Sequence, residues 1–165
     1  MAVNKRVREF FFPSLTPKFL IRVSGVALSA YLLFGHVCTP LFIKGYSMEP
    51  NYRDGSINFC WKWHTPSKPA RHQVVAVRFA GTKVMLLKRV IAFEGERVEF
   101  RQGKLFVDEK EIDEPYVRYS CSWNLPPRQV EKSCVYVVGD NRSMPIENHV
   151  FGQTSVERIV GVPLW

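Results

Sequence analysis

Residues 43–50 read Ile43-Lys44-Gly45-Tyr46-Ser47-Met48-Glu49-Pro50 and follow directly on the long apolar run of the chain. Gly45 permits a close approach of the backbone to a ligand, and Pro50 fixes the backbone just beyond the serine. Ser47 is therefore a candidate nucleophile held next to a membrane. The same residues are also compatible with a simple Gly-Tyr-Ser turn, so the rest of the chain has to decide between the two interpretations.

The composition indicates a folded domain with a membrane segment. The length of 165 residues suffices for both. The net charge is +8, and much of it lies in the first 22 residues, where five basic residues accompany a single acidic one, Glu9. A basic flank before an apolar segment is the positive-inside signal of membrane proteins, so we expect no nucleic-acid partner.

Residues 19–43 are apolar and long enough to cross a bilayer, which needs about 20 residues. We predict a cytoplasmic basic leader over 1–18, a transmembrane anchor over 19–43 and an extracytoplasmic domain over 44–165. A cleaved signal peptide is the alternative, although no Ala-x-Ala site follows the apolar core. Processing of Cys38 as a lipoprotein cysteine is disfavoured by the Thr-Pro pair that follows it.

The extracytoplasmic part is predicted to be all-β, because short β-rich runs alternate with turn signals and no long amphipathic helix follows the anchor. Two pairs of runs predict hairpins. One pair is 74–79 with 84–91 around a Gly81-Thr82 turn, and the other is 97–100 with 104–107 around Gly103. Further strands are predicted at 56–61, 135–138 and 159–164.

The cysteines and histidines predict no metal site and no cofactor, since no Cys-x-x-Cys pair exists and the histidines are scattered. Cys121 and Cys134 flank a proline-containing loop. In an oxidising compartment they could close that loop as a disulfide, which we state as a hypothesis.

Lys88 is the second unusual residue, because it lies in a predicted apolar strand beside Leu86 and Leu87. Burial disfavours a charged amine, and the lysine pKa must fall by about three from its reference of about 10.4 for a base near neutral pH. A neutral amine beside a serine hydroxyl would form a Ser/Lys pair for nucleophilic catalysis. A lysine whose tip reaches solvent is the alternative, and spacing alone does not exclude a Ser-His-Asp arrangement.

Three segments together resemble the three boxes of type I signal peptidases, in the same order over residues 41–161. They are Gly45-Tyr46-Ser47-Met48-Glu49-Pro50, Leu87-Lys88-Arg89-Val90-Ile91-Ala92-Phe93-Glu94-Gly95-Glu96, and Gly139-Asp140-Asn141-Arg142 with Phe151-Gly152. The resemblance implies an all-β catalytic domain of signal-peptidase type behind one N-terminal transmembrane helix. It also implies a bacterial cell membrane as the location, signal peptides of preproteins as substrates and lipid as the surroundings. The sequence gives no indication of the oligomeric state.

The resemblance implies roles for individual residues as well. Ser47 would be the acyl-forming nucleophile and Lys88 the general base. The backbone N–H groups of Ser47 and Gly45 would form an oxyanion hole, in which each donor contributes about 3 kcal/mol. An extended substrate would add a strand beside residues 84–88. Small pockets for the side chains before the cleavage site would be lined by Phe42, Ile43, Met48 and Leu87.

The third box departs from the family pattern, in which Gly-Asp-Asn-Arg is followed after two residues by Ser-x-Asp-Ser-Arg. The serine expected to orient the lysine amine is replaced by Pro145, so Ser143 or Asn148 is the candidate substitute. Glu147 and His149 are candidates to replace the Asp–Arg ion pair, and His149 would then add a pH sensitivity near its reference pKa of about 6.5.

Asp140 is expected to pair with Arg142 or Arg89. The departures in the third box indicate a specialised branch, such as the conjugation-associated peptidases that resemble this family.

Two other functions are compatible with these residues. One is a catalytically silent, membrane-tethered β-domain that binds peptides or partner proteins, and the presence of both Ser47 and Lys88 argues against it. The other is a self-cleaving repressor of related fold, which would need a helical DNA-binding domain where residues 1–40 predict an anchor. A membrane-bound serine endopeptidase for signal peptides is the favoured interpretation.

Overall fold

The computed structural model describes residues 15–62, 69–79, 84–119 and 121–165. The chain divides after Val37 into two compact units, 1–37 and 38–165. Most of the predicted leader, over 1–14, lies outside the described residues, as does the predicted turn at Gly81-Thr82.

Among residues 15–37, the described part of the first unit, there is one apolar helix. Helix α1 spans Pro17–Leu32 and continues as a π-helical turn over Leu33–Val37. It begins where the Thr16 hydroxyl accepts a hydrogen bond from the Phe19 N–H at 3.2 Å, with proline at the first helical position. The helical stretch from Pro17 to Val37 has 21 residues and is long and apolar enough to cross a membrane.

The apolar stretch 19–43, predicted as one span, is divided in the structure. Strand β1, Cys38–Phe42, follows the helix and pairs antiparallel with strand β2, Ile57–Trp61. The predicted end of the anchor was therefore wrong. Pro40 cannot continue a helix, and Leu41 and Ile43 are buried in a core cluster of the second unit rather than exposed to lipid.

The second unit consists of two antiparallel sheets, which confirms the all-β prediction. One sheet has the strand order β1-β2-β11-β3-β4-β9-β10, and the other has the order β7-β6-β5-β8. The remaining strands are β3 Val74–Phe79, β4 Val84–Phe93, β5 Arg97–Arg101, β6 Lys104–Val107, β7 Lys110–Glu111, β8 Leu125–Gln129, β9 Cys134–Val138, β10 Gly152–Ser155 and β11 Ile159–Pro163. Short 3-10 helices lie at Ile146–Asn148 and Val156–Arg158.

Both predicted hairpins are present, β3 with β4 and β5 with β6. Strand β8 was missed because its Pro126 and Pro127 indicate a loop, and prolines are tolerated in strands at a sheet edge, where β8 lies.

Register divides the side chains of strand β4 between two faces. Leu87 lies opposite Ala76 and packs in a cluster with Met48. Lys88 lies opposite Val75, which belongs to a different cluster on the other face. Because directly opposed residues of an antiparallel pair share a face, the Lys88 side chain leaves the strand on the Val75 side.

The hypothesised disulfide is wrong, since Cys121 and Cys134 are both free thiols. The Cys121 thiol donates to the Gly103 carbonyl oxygen at 3.6 Å, beside the turn between β5 and β6. Cys134 instead begins β9, opposite Ser155. The loop between the two cysteines is held by β8, which pairs with β5.

A buried ion pair ties the turn after β9 to the segment before β8. Arg142 is 1% exposed, and its Nη1 and Nη2 donate to the two carboxylate oxygens of Glu114 at 2.9 and 2.6 Å. Its Nε donates to the Gly139 carbonyl oxygen at 2.8 Å. The guanidinium also lies 5.3 Å from the centre of the Phe100 ring. This paired fork is the geometry in which arginine binds a carboxylate most strongly.

Removal of Glu114 should leave a buried guanidinium without its counter-ion. We expect Glu114→Ala to lower the free energy of unfolding by about 3–5 kcal/mol, measured by urea denaturation. The matched control is Glu111→Ala, which breaks an ion pair with Lys104 whose side chains are 62% (Lys104) and 52% (Glu111) exposed. That change should cost less than about 1 kcal/mol, and equal losses for the two variants would contradict the assignment.

Candidate active site

Ser47 and Lys88, which are far apart in sequence, are in direct contact in the structure. Ser47 lies in the turn that links β1 to β2, and Lys88 lies in the middle of β4. The Lys88 Nζ donates to the Ser47 Oγ at 2.9 Å. If the amine is neutral, this geometry allows it to accept the hydroxyl proton, because the proton has only a hydrogen-bond distance to travel.

The environment of Lys88 favours the neutral amine. The residue is 3% exposed, and burial lowers the pKa of its amine to about 8, against a smaller opposing effect of the Asp140 carboxylate. Lys88 forms no ion pair with any residue that the structure describes. A desolvated lysine without a carboxylate partner is one that loses its proton readily.

The Asp140 carboxylate is engaged by a different cation. Arg89 Nε and Nη2 donate to its two oxygens at 2.7 and 2.5 Å, and Asn51 adds a hydrogen bond at 2.8 Å. Of the two expected partners, Asp140 therefore pairs with Arg89, while Arg142 binds Glu114. The negative charge nearest to Lys88 is thus compensated by its neighbour in the strand.

The third box fixes the backbone of the nucleophile segment. The Asn141 N–H donates to the Ser47 carbonyl oxygen at 2.9 Å, and the Asn141 side-chain amide donates to the Tyr46 carbonyl oxygen at 3.0 Å. Gly139 lies so close that an added Cβ would be 2.2 Å from the Ser47 carbonyl oxygen. Only glycine allows this approach.

The predicted substrate-contacting residues surround one narrow cleft next to Ser47. Phe42, Ile43, Met48 and Leu87 all line it, and its volume is about 30 Å³. Leu41, Ala76, Met85 and Leu86 also contribute, and the sequence analysis missed them. The signal that could have found Leu41 was misread, because its apolar neighbourhood was assigned to the membrane span.

One of the two backbone N–H groups predicted to form the oxyanion hole already has a hydrogen-bond acceptor within the protein. The Gly45 N–H donates to the Asp54 Oδ1 at 2.7 Å, in a backbone conformation with φ of +92° that favours glycine. Gly45 is therefore held by the turn and does not offer its N–H to a substrate in this structure. The Ser47 N–H, in contrast, has no acceptor among the described residues.

Neither suggested substitute for the missing serine reaches Lys88. The Ser143 N–H and hydroxyl both donate to the Asn141 Oδ1, at 3.3 and 2.7 Å. Asn148 is exposed in the 3-10 helix that Pro145 precedes. Within the described part of the chain, Ser47 is the one hydrogen-bond partner of the Lys88 amine.

The two predictions for His149 were also wrong. The ring is 4% exposed and its Nε2 accepts a hydrogen bond from the Gly139 N–H at 3.0 Å, whereas Glu147 is exposed and forms no ion pair with it. Burial, together with the positive charges of Lys88 and Arg142, lowers the pKa of His149 to about 3. His149 is therefore neutral near pH 6.5, where sensitivity was expected.

Comparison with known proteins places these residues in a family. The family model described as signal peptidase, peptidase S26, matches residues 18–164. Signal peptidase I of Bacillus caldolyticus is 29% identical over 133 residues, covering 72% of this chain and 73% of the relative. Signal peptidase IB of Staphylococcus aureus is 27% identical over 165 aligned residues, covering 87% and 85%.

A plant protein and a solved structure are also similar. Thylakoidal processing peptidase 1 of Arabidopsis thaliana is 40% identical over 77 residues, which are 47% of this chain and only 23% of the relative. A signal peptidase I crystal structure from Enterococcus faecalis has a TM-score of 0.47 and 24% identity, over 58% of this chain and 96% of that one. Because the family model spans nearly the whole sequence, the chain belongs to the signal peptidase family, peptidase S26, and is a serine peptidase.

Proposed function

We propose that the chain is a membrane-bound serine endopeptidase that removes N-terminal signal peptides from exported preproteins with a Ser47/Lys88 pair. The observation that carries this proposal is the 2.9 Å contact between the Ser47 hydroxyl and the buried Lys88 amine. The chain's membership of the signal peptidase family supports the substrate class.

In the proposed mechanism, neutral Lys88 accepts the Ser47 proton as the serine oxygen attacks the scissile carbonyl carbon. The Ser47 N–H, which has no acceptor among the described residues, stabilises the oxyanion that forms. Lys88 then returns the proton to the leaving amine, and the signal peptide remains as an ester on Ser47. A water molecule attacks this ester with Lys88 again as base, which releases the carboxylate product and restores the hydroxyl.

The open half of strand β4 supports binding of the substrate as an extended strand. Strand β9 pairs with β4 only from Arg89 onwards. Residues 84–88 therefore present a free edge on that side within the described chain, next to Lys88. A peptide paired there would run past the cleft that holds Ser47, and the small cleft would favour short side chains before the scissile bond.

We also propose a membrane topology with a boundary adjusted to the structure. In this arrangement the helical segment 17–37 is the anchor in a bacterial cell membrane. The N-terminal leader is cytoplasmic, and residues 38–165 form the extracytoplasmic peptidase domain. The length and apolar character of the helix support the anchor, and the basic residues of the leader support its orientation.

The first prediction from the proposed function concerns cleavage of a preprotein that carries an Ala-x-Ala site, in detergent or lipid. The wild type should cleave at that site, whereas Ser47→Ala and Lys88→Ala should each lower the rate by about 10³-fold or more. Lys88→Arg should fail as well, because a guanidinium remains charged. Gel analysis and mass spectrometry of the product measure the outcome.

Lys104→Ala, which changes an exposed side chain away from Ser47 and Lys88, is the control and should keep nearly the wild-type rate. A near-normal rate for Lys88→Ala would refute the Ser/Lys pair. A folded wild type that binds but never cleaves such substrates would support the catalytically silent peptide-binding domain instead.

The second prediction concerns pH. Since the active amine is the neutral one, kcat/KM should rise about tenfold per pH unit below the Lys88 pKa of about 8 and level off above it. Rates measured from pH 5.5 to 10 test this. A profile that levels off near pH 6.5 would indicate a histidine base and contradict the assignment of Lys88.

The third prediction concerns topology in a bacterial host. The full chain should remain with membranes after a carbonate wash and dissolve in detergent. Protease added to spheroplasts should digest a tag at the C-terminus and spare a tag at the N-terminus. Digestion of the N-terminal tag alone would show the opposite orientation.

A further inference from the structure

We propose that neutral His149 is a positioning residue for the nucleophile: its Nε2 fixes the Gly139 backbone N–H, and thereby the turn against which the Ser47 carbonyl packs. The inference rests on the proposed role of Ser47 and Lys88. His149 does not touch the reacting atoms, so it would act through Gly139.

The contacts form a continuous path from the imidazole to the nucleophile. Gly139 is buried, and both of its polar backbone groups are held by side chains. The N–H donates to His149 Nε2 at 3.0 Å, and the carbonyl accepts from Arg142 Nε at 2.8 Å. With the peptide groups fixed in this way, the Gly139 α-carbon lies against the Ser47 carbonyl oxygen, where a Cβ would approach to 2.2 Å.

The same turn is also hydrogen-bonded directly to the segment that carries Ser47. Two residues after Gly139, the Asn141 N–H donates to the Ser47 carbonyl oxygen at 2.9 Å. A shift of the Gly139 peptide would move this donor and hence the Ser47 Oγ relative to Lys88. Misplacement of a reacting group by about 1 Å can cost about 10²-fold in rate.

Only one form of the ring can play this part. Nε2 accepts a hydrogen bond when the proton resides on Nδ1, whereas a doubly protonated imidazole has no acceptor. Nδ1 is buried and has no hydrogen-bond partner among the described residues. The bond from the Gly139 N–H to Nε2 is therefore the one hydrogen bond of the ring among these residues.

The surroundings keep His149 neutral across the working range of the enzyme. Burial lowers the pKa of His149, and the two charged groups that act on the ring in the same direction are cations, Lys88 from strand β4 and Arg142 from the turn after β9. The aromatic neighbours carry no charge: the Trp123 ring stands edge-on at 4.9 Å, and the Phe151 ring lies at 5.9 Å.

Two substitutions separate the acceptor from the shape of the ring. His149→Phe keeps an aromatic ring against Trp123 and Phe151 but removes the acceptor. His149→Gln keeps an acceptor oxygen without a titratable group. Both should be checked for folding by thermal unfolding. If His149→Phe does not fold, His149→Leu takes its place, since leucine is apolar and has no acceptor atom.

We expect His149→Phe to lower kcat by about 10- to 100-fold with KM changed less than about threefold, because positioning of the nucleophile rather than substrate binding is lost. Hydrogen exchange of the Gly139 amide should accelerate in the same variant. His149→Gln should restore kcat and amide protection to near wild type. The pH midpoint of wild type and of His149→Gln should both follow Lys88.

A folded acceptor-less variant with the wild-type kcat would overturn the inference, and so would a glutamine variant as slow as the phenylalanine variant. A second ionisation near pH 6.5 in the wild type, absent in His149→Gln, would also overturn it. Failure of the proposed function is distinguishable, because it would appear as equal activity of wild type and Ser47→Ala, while amide exchange would still report on the contact with Gly139.

Discussion

The candidate site depends on one buried amine that forms no ion pair with any described residue. A charged ammonium in the position of Lys88 would have to be desolvated against a serine hydroxyl and apolar strands. The nearby carboxylate of Asp140 is already satisfied by Arg89 and Asn51. Burial of Lys88 and the pairing of Asp140 with Arg89 therefore both favour the neutral amine. Both effects require strand β4 to direct the side chains of Lys88 and Arg89 to opposite faces.

The turn after strand β9 links the rest of the structure to that amine. Within four residues it contacts the nucleophile segment through Asn141 and Gly139, the charge-compensating Arg89 through Asp140, and the segment before β8 through Arg142. Each of these residues contacts a different part of the structure. The four residues of this turn therefore have separate structural roles rather than one shared role. Farther along the chain, His149 also bonds back to this turn, because its Nε2 accepts a hydrogen bond from the Gly139 N–H.

The two central residues of the site, Ser47 and Lys88, could be predicted from the sequence because both are unusual in their local sequence. A lysine in an apolar strand and a serine between Gly45 and Pro50 are rare enough to be noticed, and short β-rich runs around turn signals predicted both hairpins. The end of the anchor was not predictable in this way, because Leu41 and Ile43 suit a lipid environment and a protein core equally well. The contacts of Gly45 with Asp54 and of His149 with Gly139 depend on tertiary packing, which no local pattern encodes.

The alternation of Lys88 and Arg89 makes the function depend on the fidelity of strand pairing. Lys88 lies opposite Val75 and Arg89 opposite Val74, and a slip by one residue would exchange their faces. The slipped chain would bring a permanently charged guanidinium to Ser47 and leave the carboxylate of Asp140 facing an amine. The pairing of β4 with β9 contains an irregularity between Val90 and Ala92, directly after Lys88 and Arg89. Chemical competence is thus tied to the alignment of the strands, since of the two registers only the observed one places an amine against the serine hydroxyl.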